Sequence, residues 1–142
     1  MIAYVDSSAL LRIVLGQPGA LANWRAIRTG ISSRLAEVEC LRALDRLRLR
    51  SVVKDEEIAL RREAVFGFLS ALEIIEVTYP VLARASQPLP VELGTLDSIH
   101  LATALLWREM NQPDLVMATH DESLGLAARA GNGGIRHCLF YR

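Results

Sequence analysis

The chain has 142 residues, enough for one ordinary domain with a real core and too few for two. Hydrophobic residues make up 51% and charged residues 23%, a balance that excludes disorder. Sixteen basic residues offset sixteen acidic ones, which excludes a protein that grips duplex nucleic acid by bulk charge, so any such contact has to come from a local patch. Fifteen of the basic residues are arginine, and Lys54 is the only lysine. Cys40 and Cys138 stand far apart with no C-x-x-C spacing, which fits a reducing cytoplasm and predicts neither a disulfide framework nor a zinc site. No apolar run approaches the ~18 residues of a membrane span. No basic segment precedes the acid at Asp6, which argues against a secretory signal. The expectation is one domain over residues 1–142, working in the cytoplasm.

Ile2 to Val5 is a short apolar run that predicts a buried strand. Asp6-Ser7-Ser8 then starts a helix over Ala9 to Leu15, stopped by Gly16 and Pro18. A second helix is predicted over Gly19 to Arg28, ended by Gly30, and a short strand at Ile31 to Ser33. Leu35 to Arg50 is the longest helical segment. At about 100° per residue, Ala36, Cys40, Ala43, Leu44 and Leu47 share one face, and Glu39, Arg42, Arg46 and Arg50 share another. Asp55 to Leu72 predicts a helix with an acidic first turn, as its dipole favours. Glu73 to Tyr79 predicts a strand and Pro80 to Ser86 a helix. After a Pro-rich loop, Leu96 to Glu109 is a strongly apolar helix. Leu115 to Thr119 is a strand, His120 to Ala130 a helix, Gly131 to Gly134 a turn and Ile135 to Phe140 a last strand. Strands alternating with helices predict an α/β fold, a parallel sheet covered on both faces.

In an open parallel sheet, ligands bind outside the carboxyl ends of the strands. Three of the six aspartates fall at such places: Asp6 after the first strand, Asp121 just past the strand ending at Thr119, and Asp97 at the start of the apolar helix. Glu39 is a fourth candidate. Each acid alone has a plainer reading. Asp6 fits a helix N-cap. Thr119 to Glu122 fits a capping box, with Thr119 as the cap. Asp97 complements a helix dipole, and Glu39 pairs with Arg42 one turn along. Glu37 lies about 200° from Glu39 on the helix, so only one of them faces a shared site. The surroundings favour Glu39, because Glu37 borders the apolar face.

Gathered at one sheet edge, however, these carboxylates repel one another and need a cation to stay ionised. Oxygen donors without cysteine suit Mg²⁺ or Mn²⁺, which keep several waters, and such waters supply the nucleophile for phosphodiester hydrolysis. Arg42, Arg46 and Arg50 can steer a phosphate backbone toward the acids, or can be a solvated charged stripe.

Four blocks carry a resemblance. They are Tyr4-Val5-Asp6-Ser7-Ser8-Ala9-Leu10, Glu39-Cys40-Leu41-Arg42-Ala43-Leu44, Leu96-Asp97-Ser98-Ile99-His100-Leu101-Ala102-Thr103-Ala104, and Thr119-His120-Asp121 with Leu124 and Ala127-Ala128. In this order the chain resembles the PIN-domain ribonucleases, especially VapC-type toxins of prokaryotic toxin–antitoxin pairs. The resemblance implies a three-layer α/β/α sandwich with a central parallel sheet and metal-dependent cleavage of RNA. It also implies inhibition of translation when the enzyme is unrestrained, a cognate antitoxin protein and a homodimer. By the same resemblance Asp6, Glu39, Asp97 and Asp121 are catalytic. Asp6 and Asp97 bind Mg²⁺ or Mn²⁺ most directly, with Asp121 as a further metal ligand, and Ser8 and Thr119 hold ligands or water by hydrogen bonds.

His100, three residues after Asp97, is either a group holding that carboxylate, a base, or a locally bonded packing residue. His137 carries no functional expectation, and Trp24 and Trp107 are expected to pack in helix faces or an interface. Two rival functions differ in kind. A PIN-like module that only docks a partner is argued against by retention of all four acids. An aspartyl phosphotransfer domain needs a lysine late in the chain, and its dehalogenase-like form needs an acid where Ser8 stands.

Overall fold

Strands β1 (Ile2–Val5), β2 (Thr29–Ser33), β3 (Glu73–Ile75), β4 (Leu115–Thr119) and β5 (Arg136–Leu139) form one sheet in the order β3-β2-β1-β4-β5. Every pairing is parallel, as the alternation of elements predicted. This computed structural model describes residues 1–18, 20–111, 114–130 and 135–139. The chain runs outward from β1 to β3 and then returns to β4 on the other side of β1. The topological switch point therefore lies between β1 and β4, where open α/β sheets place their ligands.

The helices are α1 (Ser7–Val14), α2 (Ala20–Arg25), α3 (Leu35–Leu49), α4 (Asp55–Leu69), α5 (Tyr79–Ala85), α6 (Thr95–Met110) and α7 (Glu122–Ala130). Successive strand residues point to opposite faces, so each strand feeds two cores. Ala3 and Val5 join Leu10 and Val14 of α1, Cys40 and Leu44 of α3, and Val65 of α4. Tyr4 and Met117 join Leu101 and Leu105 of α6 and Leu124 of α7 on the other face. Burying a leucine such as Leu10 or Leu44 contributes roughly 1.5–3 kcal/mol. The result is the predicted α/β/α sandwich.

Several boundaries differ from the expectation. Gly30 does not end a helix: α2 stops at Arg25, and Gly30 lies inside β2 opposite Ala3. A Cβ at Gly30 would run into the Leu72 side chain, so this close approach favours a residue without one. The third strand ends at Ile75 rather than Tyr79, because its last partner, Ser33, is where β2 ends. Pro80 sits in the first turn of α5, where its missing N–H costs nothing. Helix α7 begins at Glu122, not His120. Trp24 packs edge-on against Phe68, and the buried Trp107 donates to Glu73 Oε1 at 3.1 Å, both within helix faces as expected. Gly19, the turn expected at Gly131 to Gly134, Phe140 and the side chains of His137 and Cys138 lie outside the described residues.

Candidate functional site

Asp6 is the residue at which β1 becomes α1. Its Oδ1 accepts from the Ala9 amide at 2.9 Å, so it does cap the helix. The same carboxylate accepts from Ser8 Oγ at 2.8 and 2.9 Å and from Thr119 Oγ1 at 2.6 Å. Two backbone amides of the β4–α7 connection feed these hydroxyls. The His120 amide donates to Ser8 Oγ at 2.8 Å and the Asp121 amide to Thr119 Oγ1 at 3.0 Å. Ser8 and Thr119 are thus relays that orient Asp6. Asp6 is almost fully buried, and burial lifts its carboxyl above the usual range against the opposing pull of the Thr119, Ala9 and Ser8 hydrogen bonds and of His100.

Asp121, not Thr119, caps α7: its Oδ1 accepts from the Leu124 amide at 2.8 Å. Helix α7 begins at Glu122, which puts Asp121 and not Thr119 at the cap position, and the Thr119 hydroxyl instead donates to Asp6 and accepts from the Asp121 amide. Glu39 projects from α3, and its Oε2 meets His100 Nε2 at 2.6 Å. Arg42 is not its partner. Arg42 instead pairs with Asp45 at 2.8 Å, and Arg48 joins the same carboxylate. Glu37 faces outward and makes a 3.4 Å surface pair with Arg34, so the helix turns only Glu39 inward.

Asp97 lies in the first turn of α6. No hydrogen bond from the described residues reaches its half-buried carboxylate. Its acidity is weakened first by burial and then by the charge of Asp121, with Asp6 and Glu39 adding and His100 opposing. The four acids therefore share one electrostatic field, although they come from α1, α3, α6 and α7 or the turns that precede them. Among the described residues no three His, Cys, Asp or Glu side chains close into a ready-made metal cage. This donor set fits a hard ion that takes one or two carboxylates and keeps its waters, as Mg²⁺ does, and not a tetrahedral zinc site. Burial pushes the neighbouring Cys40 thiol up to about 12, so it stays protonated and adds no soft ligand.

A groove of about 300 Å³ runs from Glu39 along α3, lined by Ser7, Leu11, Val38, Arg42, Arg46 and Leu96. Arg50, at the end of α3, is not part of its wall. Sequence reasoning singled out His100 but not its partner: the ring holds Glu39, not Asp97. It missed Tyr4, whose hydroxyl meets His100 Nδ1 at 2.8 Å. The only available signal was polarity inside two apolar runs.

The PIN-domain profile matches residues 3–129. Ribonuclease VapC46 of Mycobacterium tuberculosis is 39% identical over 104 residues, covering 71% of this chain and 72% of the relative. Among solved structures, FitAcB from Neisseria gonorrhoeae superposes with a TM-score of 0.72 at 18% identity, over 99% of this chain and 98% of the other. A toxin-antitoxin complex from Klebsiella pneumoniae gives a TM-score of 0.68 at 20% identity, over 99% and 98% of the two chains. A fold, a site at the β1–β4 switch point and a relative of this similarity agree: the chain belongs to the PIN-domain family, in its VapC-type branch.

Proposed function

We propose that the whole chain is one divalent-metal-dependent endoribonuclease, the toxin of a type II toxin–antitoxin pair. It cleaves RNA in the cytoplasm with Mg²⁺ or Mn²⁺, inhibits translation when unrestrained, acts as a homodimer and is held in check by a cognate antitoxin protein. The relatives named Ribonuclease VapC and the toxin–antitoxin neighbours support this reading. The observation that carries it is the condition of Asp97: no hydrogen bond from the described residues reaches its carboxylate, and burial raises it first, with the charges of Asp121, Asp6 and Glu39 adding. A fold that only docks a partner has no use for that repulsion, whereas a cation relieves it.

Asp6 and Asp97 would hold the ion most directly, and Asp121 would complete the acidic site. When bound, it supplies an activated water and offsets the charge that builds on the phosphate. The chain's own groups do the rest. Ser8 and Thr119 fix the Asp6 carboxylate. Glu39 is bonded to His100 through Oε2, which leaves Oε1 to accept a proton from the attacking water. Arg42 and Arg46 line the groove that reaches Glu39 and attract the RNA backbone. The test is incubation of the purified protein with single-stranded RNA. Cleavage that needs Mg²⁺ or Mn²⁺, stops with chelator and disappears in Asp97→Asn supports the reading. Equal cutting by the Asn variant contradicts it.

A further inference from the structure

His100 is 1% exposed, in the middle of an apolar helix face. A buried imidazole needs partners for its two nitrogens. Its helix neighbours Ser98 and Thr103 turn back to carbonyls four residues earlier, Gly94 and Ile99. His100 instead uses both nitrogens on other elements. Nδ1 meets the Tyr4 hydroxyl of β1 at 2.8 Å, and Nε2 meets Glu39 Oε2 of α3 at 2.6 Å, 61 residues away in sequence. Tyr4 is fully buried, and that burial raises its phenol well above the ordinary value, so the hydroxyl keeps its proton. The Tyr4 hydroxyl and Nδ1 share one hydrogen bond, and in the tautomer where Tyr4 is its donor the ring proton stands on Nε2 and goes to Glu39.

These three residues join both faces of the sheet. Tyr4 belongs to the core shared with α6, whereas α3 packs on the opposite core. Glu39 is partly exposed, and without a tether its flexible side chain has Arg42 one turn along to pair with. In the structure it turns inward instead and Arg42 takes Asp45.

We infer that His100, backed by Tyr4, is a positioning residue that locks the Glu39 carboxylate against the acidic site. The inference rests on the ribonuclease reading above for its kinetic consequence, but the lock itself is observable without activity. In proton NMR of the full chain, the His100 Nε2–H resonance stands far downfield, moves upfield in Glu39→Gln and stays in place in Glu37→Gln. In RNA cleavage with Mn²⁺, His100→Ala lowers kcat by about 10- to 100-fold, the range for removing a group that orients a ligand, with KM little changed. His100→Gln, which keeps an N–H near the Nε2 position, recovers much of that loss, and His100→Asn does not. His100→Ala added to Glu39→Gln costs nothing further, because it acts through Glu39. Should the alanine variant fail to fold, Tyr4→Phe preserves shape, removes only the supporting hydroxyl and lowers kcat several-fold. Parent-like kcat in both His100→Asn and Tyr4→Phe, or a full additional loss in the double variant, overturns the inference. If the parent cuts no RNA, the ribonuclease reading falls. The resonance then decides the lock alone, and insensitivity to Glu39→Gln overturns it.

Discussion

Thr119 Oγ1 donates a 2.6 Å hydrogen bond to Asp6 Oδ2 across 113 residues of sequence, and through it the end of β4 is tied to the end of β1. The same hydroxyl accepts from the Asp121 amide at 3.0 Å, so one small side chain sets two acids at once. Thr119→Val keeps the shape and removes both bonds. The expected cost is about 1–3 kcal/mol of stability, because a buried charged acceptor loses a donor and an amide loses an acceptor. Thr119→Ser recovers most of it. Urea unfolding of the three proteins checks this, and a valine variant as stable as the parent contradicts it.

Asp6 and Asp97 both hold a proton more readily in the folded chain than in the unfolded one. Folded-state values raised above the unfolded ones mean that metal-free stability falls as pH climbs from the ordinary carboxylate range through the raised values, and stays lowered above them. Asp97→Asn removes one of these charges. Without metal at neutral pH it melts higher than the parent, and the difference shrinks in acid. Differential scanning calorimetry in chelator across pH reads both effects, and a lower neutral-pH Tm for the Asn variant contradicts the electrostatic account.

The two glutamates of α3 separate by environment. Glu37 holds Arg34 at 3.4 Å on the surface, a kind of pair worth about 0–1 kcal/mol. Glu39 is bonded to the buried His100. Glu37→Gln therefore leaves kcat within about twofold of the parent, whereas Glu39→Gln lowers it by about 100-fold or more, the scale of a lost proton acceptor. Equal losses would remove the distinction between the two faces.

Arg46 lines the groove beside Glu39, and Arg50 does not. Arg46→Ala should raise KM for single-stranded RNA more than it lowers kcat, and reduce the salt slope of RNA binding by about 1, one phosphate contact. Arg50→Ala should change neither. Fluorescence anisotropy at several salt concentrations makes the comparison, and identical slopes for both variants would show that the groove is not the path of the RNA.

Much of this architecture was legible because the signals were local. The β1 and β4 runs are buried on both faces, so apolar continuity marked their ends at Val5 and Thr119. Asp6 was legible twice over, since the plain reading as a helix cap and the reading as one of a set of acids describe the same residue, whereas Asp121 takes the cap that the sequence pattern assigned to Thr119. What was not legible depended on distant partners. The end of β3 is set by where β2 stops, the true cap of α7 by the start of that helix at Glu122, and the partner of His100 by two helical layers meeting over the sheet edge. The i,i+3 rule that offered Arg42 to Glu39 is a weak preference of about 0.2–0.5 kcal/mol, and a 2.6 Å bond to a buried ring outcompetes it.

The most direct measurement is calorimetric titration of the metal-free protein with Mn²⁺, parent beside Asp97→Asn, Asp6→Asn and Glu37→Gln. Saturable binding by the parent and by Glu37→Gln, weakened at least about tenfold in each aspartate variant, is the predicted result. Absence of binding by the parent, or equal affinity in all four proteins, would contradict a divalent ion held between the β1 and β4 ends.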